Sequence, residues 1–219
     1  MPNYIFNNNE NMKLSVGKII CLARTYKKHA QEMKTKTTKQ PLIFLKPSSS
    51  VIFDGDSIII PEISKCIHHE IELGVIIGKK CKKISKKRAL DHILGYCLAL
   101  DITARDIQAT AKNNGWPWGI AKGFDTFAPI SNVVLKEKIP NPQNLEICLK
   151  VNNKIRQKSN TKYMIYTIPG IIEFVSSIMT LEPGDLIMTG TPEGVSEIKR
   201  GDMIQANLDN FCFINIDVK

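Results

Sequence analysis

The chain has 219 residues, with 30 Lys and Arg against 21 Asp and Glu, and a formal net charge of +9. Apolar residues make up 43% and charged residues 23%, globular proportions that exclude a disordered chain. No apolar stretch approaches the roughly 20 residues of a membrane helix, which excludes an integral helical membrane protein.

Residues 1–15 are polar and Asn-rich and read as a loosely held lead-in. They carry no basic segment followed by an apolar one. Glu10, with no Arg before Arg24, argues against a mitochondrial transit peptide. The stretch 16–22 (VGKIICL) reads as a buried strand, and 26–34 (YKKHAQEMK) as a helix with Thr25 as its N-cap. A polar loop follows at 35–40. Strands are expected at 43–46 and 57–60 around a turn at Asp54-Gly55-Asp56. The stretch 68–77 (HHEIELGVII) alternates and then turns apolar, a strand ending at Gly78. Ser85 caps a helix opening at 85–91, 93–102 (ILGYCLALDI) is a buried strand, and 103–113 is a short helix. Residues 122–130 read as loop. Asn152-Asn153 joins strands 146–151 and 154–157 through a type I′ turn. Helical spacing at 168–179 and strands at 185–188, 203–208 and 212–218 close the chain. Many strands, few helices and no βα alternation predict an α+β, mainly β fold with a mixed, largely antiparallel sheet. No repeat or linker is visible, so 16–219 is expected to form a single domain.

Six scattered cysteines without a CxxC pair read as free thiols in a reducing compartment, and a cytoplasmic protein is expected. The basic run from Lys79 to Arg88 has no interleaved aromatics, so it reads as a solvated surface and no nucleic-acid partner is expected. A metal-stabilised protein without turnover is a further alternative; it predicts that Mg²⁺ raises the melting temperature while no substrate is consumed.

Three groups of residues carry chemistry. Glu70 and Glu72 stand at i and i+2 of a strand and share a face, with His68 expected beside them and Ile71, Leu73 and Val75 toward the core. Two carboxylates side by side repel, and a divalent cation relieves that repulsion; the plain alternative is a solvent-facing edge. Asp101 ends an apolar strand, where it is either a partnered acid or the N-cap of the next helix. All-oxygen donors suit Mg²⁺ or Mn²⁺; His68 and His69 point to opposite faces and make a poor zinc pair. His29 and Glu32, one helical turn apart, form either a water-activating dyad or a surface pair. Lys122, among small residues, is placed to neutralise an oxyanion, and Thr189 to Gly194 (TGTPEG) to cradle a carboxylate through backbone N–H groups. That segment lacks the spacing of a phosphate loop.

The stretches ARTYKKHAQEM, PLIFLKPSSS, HHEIELGVIIGKKC, GYCLALDITARDIQ, PWGIAKGFDTFAPIS and GDLIMTGTPEGV together resemble the fumarylacetoacetate hydrolase family, in its short acylpyruvase branch. The resemblance covers the chain from about Lys18 onward. It implies a mixed β-roll or sandwich with a short helical lid, and a homodimer. It implies Glu70, Glu72 and Asp101 as ligands of Mg²⁺, with Mn²⁺ as substitute. His29 and Glu32 match the lid dyad, and Lys122 and Gln108 match residues at the reacting group. Arg24, Arg105 and Thr191 fall where substrate-carboxylate contacts are expected. The implied activity is metal-dependent hydrolysis of the C–C bond of 2,4-dioxo acids such as acetylpyruvate or fumarylpyruvate. The alternatives are oxaloacetate decarboxylation or enol–keto tautomerisation, or dienoate isomerisation. The family's Gly-x-Asn-Tyr at the lid entrance reads Ala23-Arg24-Thr25-Tyr26 here, so Ala23 is expected to restrict a backbone position that Gly leaves free.

Overall fold

Short β-branched runs separated by turns pair as strands along most of the chain. A computed structural model describes residues 1–7 and 12–219. In chain order the strands are β1 (Ile19–Ala23), β2 (Leu42–Lys46), β3 (Val51–Phe53), β4 (Ser57–Ile58), β5 (Ile67–His69), β6 (Ile71–Ile77), β7 (Ile93–Leu100) and β8 (Thr103–Ala104). They continue as β9 (Ala128–Ile130), β10 (Val134–Leu135), β11 (Glu146–Val151), β12 (Lys154–Asn160), β13 (Leu186–Met188), β14 (Ser196–Ile198), β15 (Met203–Leu208) and β16 (Cys212–Val218). The α-helices are α1 (Lys27–Glu32), α2 (Arg105–Asn114), α3 (Gly119–Lys122) and α4 (Ile168–Ile178).

An eight-stranded sheet runs β2-β1-β13-β6-β7-β9-β3, with β10 added on β7. A five-stranded sheet runs β12-β11-β15-β16-β4, and a small third sheet runs β14-β5-β8. Most neighbours are antiparallel, while β1/β13, β3/β9 and β4/β16 are parallel. This is the mixed, mainly β architecture expected, with α1 short and set over one end of the sheet.

Every residue of β6 is buried. Ile71, Leu73, Val75 and Ile77 enter the main core between the sheets. Ile76 packs on the other face with Cys97, Ala99, Leu186 and Met188. An apolar second face needs cover, and Tyr4 and Phe6 provide it. Tyr4 Oη donates to the Gly184 carbonyl at 2.9 Å, and Phe6 bridges to Val133. The described part of the 1–15 lead-in is therefore packed down, not loose; residues 8–11 lie outside the described residues.

Several local expectations are corrected. The run 68–77 is two strands broken at Glu70, because β5 and β6 belong to different sheets. The turn at 54–56 joins β3 to β4 and carries the chain between the two larger sheets, with Asp56 N–H donating to Phe53 O at 3.0 Å. Residues 122–130 contain β9, which pairs parallel with β3. Ser85 precedes a 3₁₀ helix, Lys86–His92, without a side-chain cap. Tyr26, not Thr25, stands at the N-cap of α1; the Thr25 side chain is buried and its Oγ1 meets no partner among the described residues. The hairpin through Asn152 and Asn153 is as expected, with φ of 50° and 63° at the two residues.

Candidate active site

The end of the β6–β7 ladder brings the acids together. Ile71 pairs with Leu100, and Asp101 N–H donates to Glu70 O at 2.8 Å, so Asp101 leaves β7 directly opposite Glu70. Glu70, Glu72 and Asp101 are all buried, and one carboxylate oxygen from each lies within 4.8 Å of the others. Both plain alternatives fail. Glu70 and Glu72 do not face solvent, and α2 is capped at Ala104, not Asp101. His68 does not join the acids; of the adjacent pair the buried one is His69, held between Gln157 and Ser196. Burial pushes the His69 imidazole down to about 4, so it is neutral at ordinary pH.

Three cations stand against the three acids. Lys122, at the end of α3, donates to Glu70 Oε2 at 3.1 Å, to Thr103 Oγ1 at 2.6 Å and to Asp101 Oδ2. Lys46 donates to Asp101 Oδ1 at 2.7 Å and to Ile102 O at 3.0 Å. Arg105, on α2, pairs with Glu70. Among the described residues Glu72 is hydrogen-bonded to no cation, only to the Gly190 N–H at 2.6 Å. Burial, with Asp101 and Glu70 nearby, therefore holds the Glu72 carboxyl well above the usual range. Burial would raise Glu70 as well, but Lys122 and Arg105 outweigh it and hold it well below. Desolvation works against the Lys122 ammonium, yet Asp101 and Glu70 raise it. A buried acid with no counter-cation in an all-oxygen group is the arrangement a hard divalent ion fits.

Eight of the ten candidate residues line one cleft; Asp101 lies behind it in the acid group and Glu32 behind His29. Gln108 Oε1 accepts from Arg105 at 2.8 Å, which leaves the Gln108 amide N–H groups to donate into the cleft. On α1, His29 Nδ1 is 3.3 Å from Glu32 Oε2, so the two side chains pair across one helical turn. Glu32 has a second contact: Gly194 N–H donates to Oε1 at 3.0 Å, which ties the lid to the turn after β13. The same turn presents Thr191 to the cleft and Gly190 to Glu72. Gly190 has φ of 93°, and a Cβ there would collide with Thr25 Oγ1. At the lid entrance the left-handed residue is Arg24, with φ of 60°; Ala23 simply ends β1. The sequence reading missed Lys46, Gln157 and Lys112, an exposed lysine at the cleft rim on the α2 face that carries Arg105 and Gln108. Lys46 had a signal: a charged residue closing an apolar run, as at Asp101.

A β-scaffold with buried acids at a sheet end, a cation shell and a short helix at the cleft is an arrangement that fits a small anionic ligand. Residues 18–219 match the fumarylacetoacetate (FAA) hydrolase C-terminal family, and the chain belongs to that family. It is 47% identical over 201 residues to the mitochondrial oxaloacetate tautomerase FAHD1 of Bos taurus, covering 92% of this chain and 91% of the relative. The solved structure of fumarylpyruvate hydrolase from Pseudomonas aeruginosa, in complex with Mn²⁺ and pyruvate, superposes with a TM-score of 0.93 at 31% identity, over 98% and 94% of the two chains. The 2-hydroxyhepta-2,4-diene-1,7-dioate isomerase of Mycobacterium marinum superposes with a TM-score of 0.82 at 35% identity, over 94% and 75%.

Proposed function

We propose that this chain is a divalent-metal-dependent enzyme that interconverts the enol and keto forms of oxaloacetate. Hydrolysis of acylpyruvates such as acetylpyruvate or fumarylpyruvate is the second reading of the same site. The carrying observation is the buried Glu70–Glu72–Asp101 group facing a lid histidine across a cleft walled by cations. These three acids would hold Mg²⁺ or Mn²⁺, and the ion would polarise the 2-oxo group and carboxylate of a bound 2-oxo acid. Glu32 keeps His29 Nδ1 protonated, which leaves Nε2 as the base. His29 takes the C3 proton of the keto acid as the electron pair moves toward the 2-oxo oxygen, and a proton taken up at that oxygen completes the enol. Lys122 and the Gln108 amide offset the negative charge that develops there. Arg105, whose buried Nε has no partner among the described residues, and Arg24 receive the substrate's carboxylates with Thr191.

One observation favours oxaloacetate: the tautomerase relative is more similar in sequence than the hydrolase, at 47% against 31%. The His29–Glu32 pair supports hydrolysis as the second reading, since the same base can take a proton from water as it adds to the 4-oxo carbon. Cleavage then yields pyruvate and a carboxylic acid. With Mg²⁺ the protein is expected to accelerate decay of enol-oxaloacetate absorbance, and EDTA to stop it. Turnover of acetylpyruvate alone moves the protein to the hydrolase reading; turnover of neither overturns both.

The reading treats 16–219 as one catalytic unit and the protein as a homodimer. Exposed Leu42, Leu45, Trp116 and Ile120 flank adjoining apolar grooves beside the edge strand β2, which supports a self-association face. Light scattering is expected to give twice the chain mass, and Trp116→Lys to lower it to one; a single-chain mass for the parent removes the dimer. Among the described residues no helix is long and apolar enough to cross a membrane. The six free cysteines, five of them buried, support the cytoplasmic, reducing setting.

A further inference from the structure

Behind Thr191 the cleft wall is a buried chain of hydrogen bonds that the proposed reaction does not use. Gln157, on β12, sits at its centre. Gln157 Oε1 accepts from the Ile71 N–H at 3.0 Å and lies 2.9 Å from His69 Nδ1. Gln157 Nε2 donates to the Pro192 carbonyl at 3.0 Å and lies 2.8 Å from Thr191 Oγ1. Two of these partners leave no freedom in the amide's orientation. A backbone N–H can only donate and a backbone carbonyl can only accept, so Oε1 must face Ile71 and Nε2 must face Pro192.

The polarity of every other bond follows. Since Oε1 accepts, His69 carries its hydrogen on Nδ1, and His69 Nε2 accepts from the Ser196 hydroxyl at 2.8 Å. Since Nε2 donates, Thr191 Oγ1 is an acceptor toward Gln157. A hydroxyl has one proton. That of Thr191 finds no acceptor among the described residues, and Thr191 borders the cleft. A threonine hydroxyl can otherwise show a substrate anion either its proton or a lone pair, and only the proton attracts.

We propose that Gln157 is a positioning residue: by donating to Thr191 Oγ1 it commits that hydroxyl to presenting its proton to a substrate oxygen in the cleft. Gln157 itself touches no substrate. The turn that carries Thr191 is pinned from both sides, by Gln157 at Pro192 and by the Gly190 N–H on Glu72. Thr191 is thereby set in register with the acid group. The inference rests on the proposed reading only in taking the ligand to be a 2-oxo acid.

Equilibrium binding of pyruvate in the presence of Mn²⁺, measured by calorimetry, tests it apart from turnover. Gln157→Glu keeps the acceptor for Ile71 and His69 and removes the donor, so the Thr191 hydroxyl turns away from the cleft toward the new carboxylate. The loss of one hydrogen bond to a charged group is expected to weaken pyruvate binding by about ten- to a hundredfold. Thr191→Val is expected to lose a similar factor, and Gln157→Glu with Thr191→Val no more than Thr191→Val alone. Thr191→Ser, which keeps the hydroxyl, is expected to lose less affinity than Thr191→Val, and to lose more once Gln157→Glu is added. Gln157→Met serves as the second variant should the carboxylate prevent folding; its loss is smaller and again does not add to that of Thr191→Val. Parental affinity in both Gln157 variants, or losses that multiply with Thr191→Val, overturn the proposal. A parent that binds pyruvate but turns over neither acid leaves this test intact and defeats only the proposed reaction. A parent that does not bind pyruvate overturns both.

Discussion

Glu72→Gln is expected to abolish metal-dependent turnover while leaving the metal-free protein as stable as the parent or more so. The two effects separate because Glu72 differs from its neighbours. Asp101 is held by Lys46 and Lys122, and Glu70 by Lys122 and Arg105, but among the described residues Glu72 meets only the Gly190 N–H. Burial and the two adjacent acids already favour its neutral form. Glutamine matches that neutral carboxyl in shape and still offers an oxygen to Gly190, so the metal-free fold loses nothing. It removes a charge, however, from the group that would hold the ion. A divalent ion contributes several kcal/mol of charge stabilisation to such a reaction, so turnover is expected to fall by about a thousandfold or more. Thermal unfolding with and without Mg²⁺ or Mn²⁺ checks the other half. The ion should raise the melting temperature of the parent and not that of the variant. An ion-induced shift in Glu72→Gln equal to that of the parent would sink the ligand assignment.

Much of this site was legible because it lies on strands whose alternation can be read directly. Ile71, Leu73 and Val75 face the main core as their spacing required, which turns Glu72 the other way. Asp101 stood out as an acid closing an apolar run, and the opposing strand places it beside Glu70. Where the reading failed, the missing information was long-range. Tyr4 and Phe6 looked like part of a polar lead-in because nothing local reveals that the sheet's second face is also apolar. The break at Glu70 was hidden because β5 and β6 are each good strands and only their partners differ. Thr25 had the composition of an N-cap, but its neighbour Gly190, far along the chain, decides that its side chain is buried. Gln157 is one more polar residue on a mostly polar strand, and its partners Ile71, His69 and Thr191 are all distant in sequence.

The turn from Gly190 to Gly194 shows why the site is more than its acids. Its first residue holds Glu72, its second faces the cleft, and its last holds the lid through Glu32. Gly194 has φ of 95°, and a Cβ there would collide with the Arg156 carbonyl on β12, so only glycine brings that N–H to Glu32. The position of α1 and the geometry of the acid group are thus joined by five residues of backbone.

Lys46→Met is expected to cost about 3–5 kcal/mol of stability, because it leaves Asp101 as a buried charge with half its compensation. Lys46 is the only buried residue of β2, whose other side chains are partly or fully exposed, so apolar packing does not explain its position. Its ammonium is wholly enclosed, 2.7 Å from Asp101 and 5.8 Å from the centre of the Phe127 ring. For a chain of this size the loss corresponds to a drop of about 6–20 °C in melting temperature. The decisive comparison is the double variant. Lys46→Met with Asp101→Asn removes both charges and should recover a substantial part of the stability lost in Lys46→Met alone, since an apolar or neutral pair avoids the unpaired buried ion. Lys122 retains Glu70 in that variant and keeps its own charge balanced. If the two substitutions instead add, Lys46 contributes through packing, and its charge pairing with Asp101 is not what holds this end of the sheet together.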